Sequence, residues 1–436
     1  MRFPGNLRTS GRTLALAIAA VTALSACAGQ GQGDGDAKGS GGTVTLKFWN
    51  GFTGPDRKAV ETIVQRFNSS QNKVKIEMQI MPWDVFFDKL LPSYGSGTGP
   101  EIAAMDTAQI PQYAARGVFQ PLDDAYGPQG VDPNVMVKPA VDATVYKGKK
   151  YGVPMNFTTL LLYWNRDMFK KADLDPDKPP ADWDEFAAFA KKLTKDTDGD
   201  GKPEQYGLSL GDHQTIAMWP ILFWQNGGGI TSPDGKTATL SDPATIEAAK
   251  FWAGLVMKDK ISPIGQTGAD ADKLFQTKKA AMEIVGPWMT TGFKEAGISF
   301  GLAMPPAGPK ANVTLGTSVA FTLSARATGA KKQAAQQFFT YWNSKESQRF
   351  WSISAGFPPN RTDVSNAVTA VNPYVAKFGQ YSDQSRFYLA GVRDFQKVNE
   401  TLFEPALQRV LNGRGSVEEV FGKADRDIQA VLDSGQ

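Results

Sequence analysis

The chain has 436 residues, of which 41% are hydrophobic and 21% charged, a composition typical of a folded protein that is too long for one hydrophobic core. Its formal net charge of +3 equals the three arginines before residue 13, so the rest is near neutral and gives no electrostatic case for binding nucleic acid. A single cysteine and a single histidine exclude most multi-thiolate metal sites and histidine-dependent hydrolytic triads.

The chain begins with a leader that ends at its only cysteine, Cys27. A basic start precedes an apolar run from Thr13 to Leu24, which is typical of a secretory signal and too short for a permanent membrane span. The adjoining Leu-Ser-Ala-Cys resembles a bacterial lipobox, so we expect removal of residues 1–26 and lipid attachment at Cys27. An ordinary signal peptide with an unrelated cysteine is the alternative.

Residues 27–42 are rich in glycine and polar residues and predict a flexible tether. After the tether, alternating apolar residues and helical spacing predict a regular order of elements. The predicted strands span 44–49, 74–81 and 101–105, and the predicted helices between them span 56–67 and 83–91. This order favours a parallel sheet, in which ligands bind beyond the carboxyl ends of the strands. Asn50 and Asp106 follow two such strand ends.

The rest of the chain continues this α/β pattern. An extended apolar run covers 151–164, and Asp182 is predicted to cap a helix that follows it. Further helices are predicted over 242–257, 331–351 and 416–432. No solenoid-type repeat is present, and no segment after the leader has the roughly 20 apolar residues that cross a bilayer.

Residues 207–211 (GLSLG) match the G-x-S-x-G pattern of hydrolase elbows. An elbow serine needs a histidine much later in the chain, but the only histidine, His213, follows Ser209 by four positions. We therefore predict a strand and a turn at this motif.

A second motif has the spacing of a calcium loop. Asp196, Asp198 and Asp200 stand at the first three ligand positions, and Gly207 occupies the position where a bidentate glutamate should close the loop. We predict an acidic turn rich in side-chain to main-chain hydrogen bonds, with a weak calcium site as the alternative. No other metal site and no cofactor is expected.

Ten tryptophans are present. Trp252 and Trp342 lie in amphipathic helical runs and are predicted to be core residues, and Trp183 is predicted to pack at a helix start. Six others lie near predicted turns or element ends: Trp49, Trp83, Trp164, Trp219, Trp224 and Trp288. A large ring beside amides and carboxylates suits a sugar, whose C–H face packs on the ring while its hydroxyls bond to the polar groups. Burial in the core is the alternative for each ring.

Eight segments carry a resemblance to one protein family. They are 48–56 (FWNGFTGPD), 81–91 (MPWDVFFDKLL), 96–106 (SGTGPEIAAMD), 117–124 (GVFQPLDD), 152–169 (GVPMNFTTLLLYWNRDMF), 224–229 (WQNGGG), 285–288 (VGPW) and 356–361 (GFPPNR). In this order they resemble the extracellular solute-binding proteins of family 1, the sugar-binding lipoproteins of bacterial ABC importers. The resemblance covers nearly all of residues 43–436.

The resemblance implies an α/β fold with two lobes, of the kind found in periplasmic binding proteins. It has mostly parallel sheets with flanking helices, and a hinge that the chain crosses more than once. Lobe one is expected to hold residues 43–156 and 316–357, and lobe two residues 157–315 and 358–436. A sugar would lie in the cleft between the lobes, and closure would bury it.

The resemblance also implies a set of ligand contacts. They are Asn50, Phe52, Trp83, Asp106, Asn156, Trp224, Asn226, Trp288, Thr317 and Arg361. Trp83, Trp224 and Trp288 would be stacking rings, and Asp106 and Arg361 would each hold a pair of hydroxyls. For Asn226 a role in a turn is the alternative, and for Arg361 an ion pair between the lobes.

Together these features predict a monomeric lipoprotein without catalytic activity that captures a mono- or oligosaccharide. It would be held by its lipid at the outer face of the cytoplasmic membrane and would deliver the sugar to an ABC importer, whose permease and ATPase are separate subunits. The alternatives are a secreted glycoside hydrolase with a carboxylate pair, and a binding protein for another solute such as glycerol-phosphate. A phosphate ligand should bring several basic residues to the cleft, and the expected contacts include only Arg361.

Overall fold

The structure, a computed structural model, describes residues 42–213 and 218–435. The predicted leader, Cys27 and nearly all of the tether lie outside the described residues. Within the described ranges, no helix is both long enough and apolar enough to cross a membrane.

The strands of the described residues form four sheets. In chain order they are β1 Val44–Asn50, β2 Val74–Ile80, β3 Ile102–Asp106, β4 Val145–Tyr146, β5 Lys149–Lys150, β6 Val153–Pro154, β7 Thr158–Thr159, β8 Leu161–Asn165, β9 Met282–Val285, β10 Phe300–Ala303, β11 Thr314–Thr317, β12 Val319–Leu323 and β13 Ser385–Phe387. The first sheet has the order β2-β1-β3-β12-β6, the second β10-β8-β9 and the third β13-β11-β7, while β4 and β5 pair alone.

The α-helices of the described residues lie between and after these strands. They are α1 Arg57–Ser70, α2 Trp83–Ser96, α3 Ile110–Ala115, α4 Lys138–Asp142, α5 Arg166–Lys171, α6 Trp183–Leu193, α7 Met218–Gln225, α8 Pro243–Met257, α9 Gly268–Gln276, α10 Thr290–Glu295, α11 Gly329–Trp342, α12 Lys345–Ala355, α13 Ser365–Thr369, α14 Pro373–Gln380, α15 Glu404–Leu411 and α16 Val417–Ser434. Short 3₁₀ turns follow β3 (Thr107–Gln109) and β9 (Pro287–Met289), and a π-helical segment, Lys397–Phe403, leads into α15.

The first sheet is covered on both faces. Leu46 and Phe48 of β1 face a core that α1 and α11 complete, whereas Trp49 faces a second core formed with α2. Helices α1 and α2 return the chain between β1, β2 and β3, so β1 pairs in parallel with both neighbours. The strand–helix–strand prediction is therefore confirmed for this part of the chain.

The strands added to this parallel centre run the other way. β12 pairs antiparallel with both β3 and β6, and β8 pairs antiparallel with β9 and β10. The expectation of mostly parallel pairing thus holds for β1, β2 and β3 but not for these strands. β6 and β12 connect to the third sheet through short links, and antiparallel neighbours need no helical crossover.

The chain passes between the first and third sheets through two short links. One link joins β6, which ends at Pro154, to β7, which begins at Thr158. The other joins β11 to β12 through Ser318. A separate core surrounds β8 and takes side chains from α6, α7, α8 and α16, so the second sheet is supported independently of the first.

Helix α6 begins as predicted. Asp182 accepts a hydrogen bond from the main-chain N–H of Glu185 (2.9 Å), which satisfies one free donor of the first helical turn. Trp183 is buried behind this cap, as predicted, and its indole N–H donates to Gln225 (2.8 Å).

The single helix predicted over 331–351 is two helices in the structure. α11 ends at Trp342, and the side chain of Ser344 caps α12 by accepting the N–H of Ser347 (3.2 Å). The Asn343 amide, between the two helices, donates to the carbonyl of Pro154 (3.1 Å) and ties the break to the first sheet. The prediction of one helix was wrong because a cap and a tertiary hydrogen bond interrupt it.

Trp252 and Trp342 are fully buried, as predicted. Trp219 is fully buried as well, although its position near Pro220 had suggested the end of an element. It lies in α7, where every residue from Met218 to Gln225 is buried. A helix without a polar face shows no amphipathic period, so its helical character was not visible in the pattern.

Candidate ligand-binding site

Two predicted contacts stand at the carboxyl ends of neighbouring strands. Asn50 ends β1 and is fully buried, with its side-chain oxygen accepting the N–H of Phe52 (3.2 Å). Its amide nitrogen Nδ2 has no hydrogen-bond partner among the described residues. Asp106 ends β3, and its Oδ1 accepts the N–H of Ala108 (2.9 Å). The two neighbouring strand ends therefore hold a buried donor without a partner among the described residues and a partly exposed carboxylate.

Burial raises the pKa of Asp106 to about 6, and the hydrogen bond from the Ala108 N–H opposes this only in part. Asp106 keeps some solvent exposure and has no cation beside it that lowers its pKa. Hydrogen bonds from the hydroxyl groups of a bound molecule would therefore stabilise the ionised form of this carboxylate.

Three other candidate rings are joined by a chain of aromatic contacts, here called the aromatic chain. Its ring centroids are separated by 5.6 Å (Trp83–Phe52), 5.7 Å (Phe52–Trp351), 5.1 Å (Trp351–Phe357) and 6.2 Å (Phe357–Trp288). Trp83 opens α2 beside the first sheet, whereas Trp288 follows β9 of the second sheet. The middle rings are buried, and only the terminal rings Trp83 and Trp288 keep solvent exposure. The aromatic chain therefore crosses between the two sheets with an accessible ring at each end.

Each terminal ring lies against a glycine. A Cβ atom on Gly51 would be 2.0 Å from Cδ2 of Trp83, and one on Gly286 would be 1.9 Å from Cζ3 of Trp288. These glycines precede the turns that end β1 and β9, so the main chain itself forms a flat support for each ring. The sequence signals are the Asn-Gly-Phe and Val-Gly-Pro-Trp segments.

The segment around Trp288 is also where the two sides of the molecule meet. Trp288 packs against the cores of both the first and the second sheet. Gly356, which ends α12 with φ 82°, approaches the same turn, since a Cβ there would be 3.1 Å from the Pro287 carbonyl oxygen. A left-handed backbone and this close approach both favour glycine at 356.

Asn156 and Thr317 lie at the two links between the sheets. The side-chain oxygen of Asn156 accepts the N–H of Val319 (2.9 Å), while its Nδ2 is buried without a partner among the described residues. Thr317 is partly exposed and pairs with Thr158 across β11 and β7. Thr317 therefore offers a partly exposed polar group, whereas the free donor of Asn156 is buried in this arrangement.

Trp224 and Asn226 occupy a different neighbourhood, at the end of α7. Trp224 is 8% exposed and belongs to the core around β8. The Asn226 amide donates to the Ala244 carbonyl (2.8 Å) and to Glu247 (3.2 Å), which holds the turn after α7 against α8. The described contacts do not join either residue to the aromatic chain.

Arg361 is committed to a local ion pair. Its Nε and Nη2 donate to the two carboxylate oxygens of Asp363 (2.9 Å each), and Nη1 donates to the Asn343 carbonyl (3.0 Å). The hydrogen bonds from Arg361 and Lys345 lower the pKa of Asp363 to about 2. The pair joins residues two positions apart, so a sugar contact by Arg361 would have to replace Asp363.

The acidic motif folds as a turn. Asp196, Asp198 and Asp200 each accept main-chain N–H groups within residues 199–202, as predicted. Glu204, which the sequence comparison with a calcium loop did not include, joins them so that one oxygen from each of the four carboxylates lies within 4.8 Å of the others. All four are exposed.

The G-x-S-x-G motif does not form a nucleophile elbow. The Ser209 hydroxyl donates to the Ala271 carbonyl (2.6 Å), whereas His213 is hydrogen bonded to Asp212 (2.8 Å). Ser209 lies in an extended segment that bridges to Glu283 beside the second sheet. The segment is extended at Ser209, but it forms an isolated bridge and not the predicted regular strand.

Comparison with known proteins identifies the family. Residues 62–377 match the model described as bacterial extracellular solute-binding protein. The chain belongs to this family. The predicted resemblance is therefore confirmed, and so is an extracytoplasmic location.

Similar proteins extend over almost the whole solute-binding protein. A binding protein of Brucella abortus strain 2308 is 26% identical over 401 residues, covering 89% of this chain and 92% of the relative. An ABC transporter solute-binding protein from Thermotoga lettingae, solved with α-D-tagatose, has a TM-score of 0.80 and 24% identity and covers 89% of this chain and 100% of its own. UgpB from Mycobacterium tuberculosis, solved with glycerophosphocholine, has a TM-score of 0.79 and 21% identity, with 90% and 100% covered. The predicted two-lobe fold is confirmed.

Three carboxylates of the solute-binding protein were not foreseen as a group. Asp56 precedes α1 beside the first sheet, whereas Asp272 lies on α9 and Glu283 on β9 of the second sheet. Asp272 interacts with the side chains of Glu283 and Trp288. Burial raises the pKa of Asp56 to about 7 and that of Asp272 to about 6, and it holds the pKa of Glu283 well above its usual range. We call these residues the carboxylate cluster.

No local pattern predicts the carboxylate cluster, because its members are more than 200 positions apart at their extremes. The available signal was weak: Glu283 interrupts the apolar strand Met282–Val285, and Asp56 closes the FWNGFTGPD segment. An acidic residue inside a buried strand is rare enough to mark a special environment.

Proposed function

We propose that this solute-binding protein captures a carbohydrate in the cleft between its lobes and delivers it to the permease of an ABC importer, without chemistry of its own. The observation that carries the proposal is the aromatic chain, whose accessible rings stand at the end of β9 and beside the end of β1. The solved relative that holds tagatose supports the same ligand class.

The polar groups around the rings suit a hydroxylated ligand. Asp106 is a partly exposed acceptor, and the Nδ2 atoms of Asn50 and Asn156 are buried donors that lack partners among the described residues. A sugar offers both donors and acceptors around a C–H face that packs on an indole ring. The remaining predicted contacts, Phe52, Trp224, Asn226, Thr317 and Arg361, belong to this proposal as well.

We propose three lobe boundaries, so that lobe one holds residues 43–156 and 316–357 and lobe two holds 157–315 and 358–436. Strand pairing supports the first boundary, because β6 belongs to the first sheet and β7 to the third. For the second boundary strand pairing favours Ser318 instead, because all of β11 (Thr314–Thr317) belongs to the third sheet and β12 to the first. Near the third, the carbonyl of Asn360 accepts the N–H of Val137 (2.8 Å), so the chain still contacts lobe one after Pro358.

A thermal-shift panel tests the ligand class. The chain is heated with α-D-tagatose, maltose, maltotriose, mannobiose, glycerol 3-phosphate or glycerophosphocholine at millimolar concentration. A bound solute stabilises the folded protein, by about 2.7 kcal/mol when its concentration is one hundred times its Kd, and so raises the melting temperature. A shift with a sugar supports the proposal, and shifts confined to the phosphorylated compounds contradict it.

A hydrolytic function finds less support. A glycosidase needs two carboxyl groups about 5–9 Å apart around one bond. Glu283 is only 2% exposed and interacts with Asp272, so this pair does not face an open cleft. Incubating the protein with the sugar that shifts its melting temperature and analysing the products tests this directly, since intact sugar is expected.

We further propose that the protein acts as a monomer anchored by a lipid on Cys27. The support is the Leu-Ser-Ala-Cys segment followed by a glycine-rich stretch. A full-length Cys27→Ser variant is expected to leave the membrane fraction while giving the same thermal shifts as the unaltered chain. Retention of the variant in the membrane fraction contradicts lipid anchoring.

A further inference from the structure

The outer edge of β2 is covered by two side chains from the end of α1. β2 stands at one end of the first sheet, so only one of its sides pairs with another strand. The side chain of Asn68 donates to the carbonyl of Ile76 (2.9 Å) and accepts the Ile76 N–H (2.8 Å). The side chain of Gln71 donates to the carbonyl of Val74 (2.7 Å) and accepts the Val74 N–H (2.8 Å). We call Asn68 and Gln71 the edge amides.

These hydrogen bonds lie on the side of β2 that faces away from β1. The N–H groups of Val74 and Ile76 each donate to an edge amide, so they are not available to β1. The N–H of Val44, at the start of β1, donates instead to the carbonyl of Lys73 (2.8 Å), next to Val74. The edge amides therefore occupy the main-chain groups through which an additional strand would pair with β2.

The other end of the first sheet is covered in a similar way. β6 ends at Pro154, which has no N–H, and the carbonyl of Pro154 accepts a hydrogen bond from the side chain of Asn343 (3.1 Å). The indole N–H of Trp342 donates to the carbonyl of the next residue, Met155 (3.0 Å). Side chains of the chain itself thus cover main-chain groups at both ends of this sheet, where a strand of a second molecule could otherwise add.

We propose that the edge amides keep β2 from pairing with β2 of a second copy of this chain. The inference rests on the proposed monomer and names residues that maintain it. It concerns the outer edge of lobe one and is independent of the solute that the cleft binds.

The sequence of β2 suits pairing with itself. In an antiparallel pair centred on Ile76, the two copies of Ile76 would exchange the N–H and C=O bonds that Asn68 now makes. Val74 would lie opposite Met78 of the second copy, and Lys75 opposite Glu77 of the second copy. Lys75 and Glu77 are exposed, and within one strand their Nζ and Oε1 atoms are 2.8 Å apart. Opposite charges on facing strands would stabilise the pair, so an uncovered edge has a ready partner.

Molar mass measured by light scattering tests the proposal in the full chain, with Cys27→Ser so that a lipid does not drive association. The mass of Asn68→Ala/Gln71→Ala is expected to rise towards twice that of the parent as the concentration increases. The matched control is Gln65→Ala/Asn72→Ala, which removes exposed side chains of the same two types from α1 and the turn after it. The control should keep the mass of the parent.

A third substitution assigns the association to β2. Adding Glu77→Lys to Asn68→Ala/Gln71→Ala would set positive side chains opposite each other across the pair, so the mass is expected to return to that of the parent. Association that persists with Glu77→Lys overturns the proposal, because it does not run through β2. An unchanged mass in folded Asn68→Ala/Gln71→Ala overturns it as well.

Hydrogen exchange in dilute solution gives a second measurement. The Ile76 amide is expected to exchange about fivefold faster in Asn68→Ala than in the parent, because its acceptor is removed. Asn68→Ala alone leaves the Gln71 bonds in place, so it replaces the double variant if that variant does not fold. Equal exchange and equal mass in Asn68→Ala would then overturn the proposal. A parent that is itself a dimer contradicts the proposed monomer, and the edge amides are then judged by whether their removal raises the mass above that of the parent.

Discussion

The indole of Trp83 lies directly on Gly51, so closely that a Cβ atom at position 51 would be 2.0 Å from the ring. Real Cβ atoms are not found at such distances from a ring, so the ring and any side chain at 51 exclude each other. The glycine fixes the position of Trp83 at the end of β1, next to Asn50 and within the aromatic chain.

Gly51→Ala is expected to displace the Trp83 ring and to weaken sugar binding by about tenfold, because an aromatic contact contributes on the order of 1 kcal/mol. Isothermal titration with the sugar found in the thermal-shift panel measures this. Gly254→Ala is the control: it lies in α8, with nothing within 4 Å of its added Cβ, and should bind sugar normally. Equal affinities for the two variants would show that Trp83 does not contact the ligand.

Trp288→Ala is expected to lose sugar affinity by at least about tenfold while remaining folded, because Trp288 is a partly exposed ring at the end of the aromatic chain. Titration calorimetry and circular dichroism separate the two effects. Trp252→Ala is expected instead to lower stability, because that ring is fully buried and its removal should reduce the unfolding free energy by about 3–5 kcal/mol. An unaltered affinity in Trp288→Ala would show that Trp288 does not contact the sugar.

Asp106→Asn is expected to stabilise the ligand-free protein and to weaken sugar binding. Burial raises the pKa of Asp106 to about 6, so the carboxyl group favours the folded state in acid and this contribution is lost as the pH rises through 6. The asparagine keeps the acceptor for the Ala108 N–H without the charge. Urea unfolding should show a gain of about 2 kcal/mol at pH 7.5 and little difference at pH 4. A loss of stability at pH 7.5 would contradict the cost assigned to this charge.

Glycerol 3-phosphate is expected to give no thermal shift at pH 7.5. The candidate site presents the Asp106 carboxylate, and its one predicted basic contact, Arg361, is paired with Asp363. A phosphate would meet a negative group without a free cation among the predicted contacts. Glucose and glucose 6-phosphate form a second pair for the same comparison, in which only the neutral sugar should bind. A thermal shift with glycerol 3-phosphate or glucose 6-phosphate would contradict this prediction.

Local regularities account for the elements that the sequence predicted correctly. The alternation of apolar and polar residues predicted β1 and β2. The position of Asp182 directly before a helical pattern predicted its cap. Both signals lie within a few residues. The break at Ser344 also had a local signal, a capping residue followed by Glu346, inside a longer helical pattern.

The arrangement of the site depends on contacts that no local pattern encodes. Trp83 and Trp288 were expected as separate rings, but their connection runs through Trp351 and Phe357, which come from a different part of the chain. For Arg361 the partner was only two residues away, yet the choice between Asp363 and a sugar is made by side-chain geometry.

The two links between the lobes are hydrogen bonded to each other along their length. The N–H groups of Met155 and Asn156 donate to the Val319 carbonyl (2.7 and 3.2 Å), and the Ser318 hydroxyl donates to the Asn156 carbonyl (2.7 Å). Two separate strands could swivel independently, whereas a joined ribbon bends as one piece and resists twisting. We expect this ribbon to limit the relative motion of the lobes to bending, so that closure presents one outer surface to a transport partner.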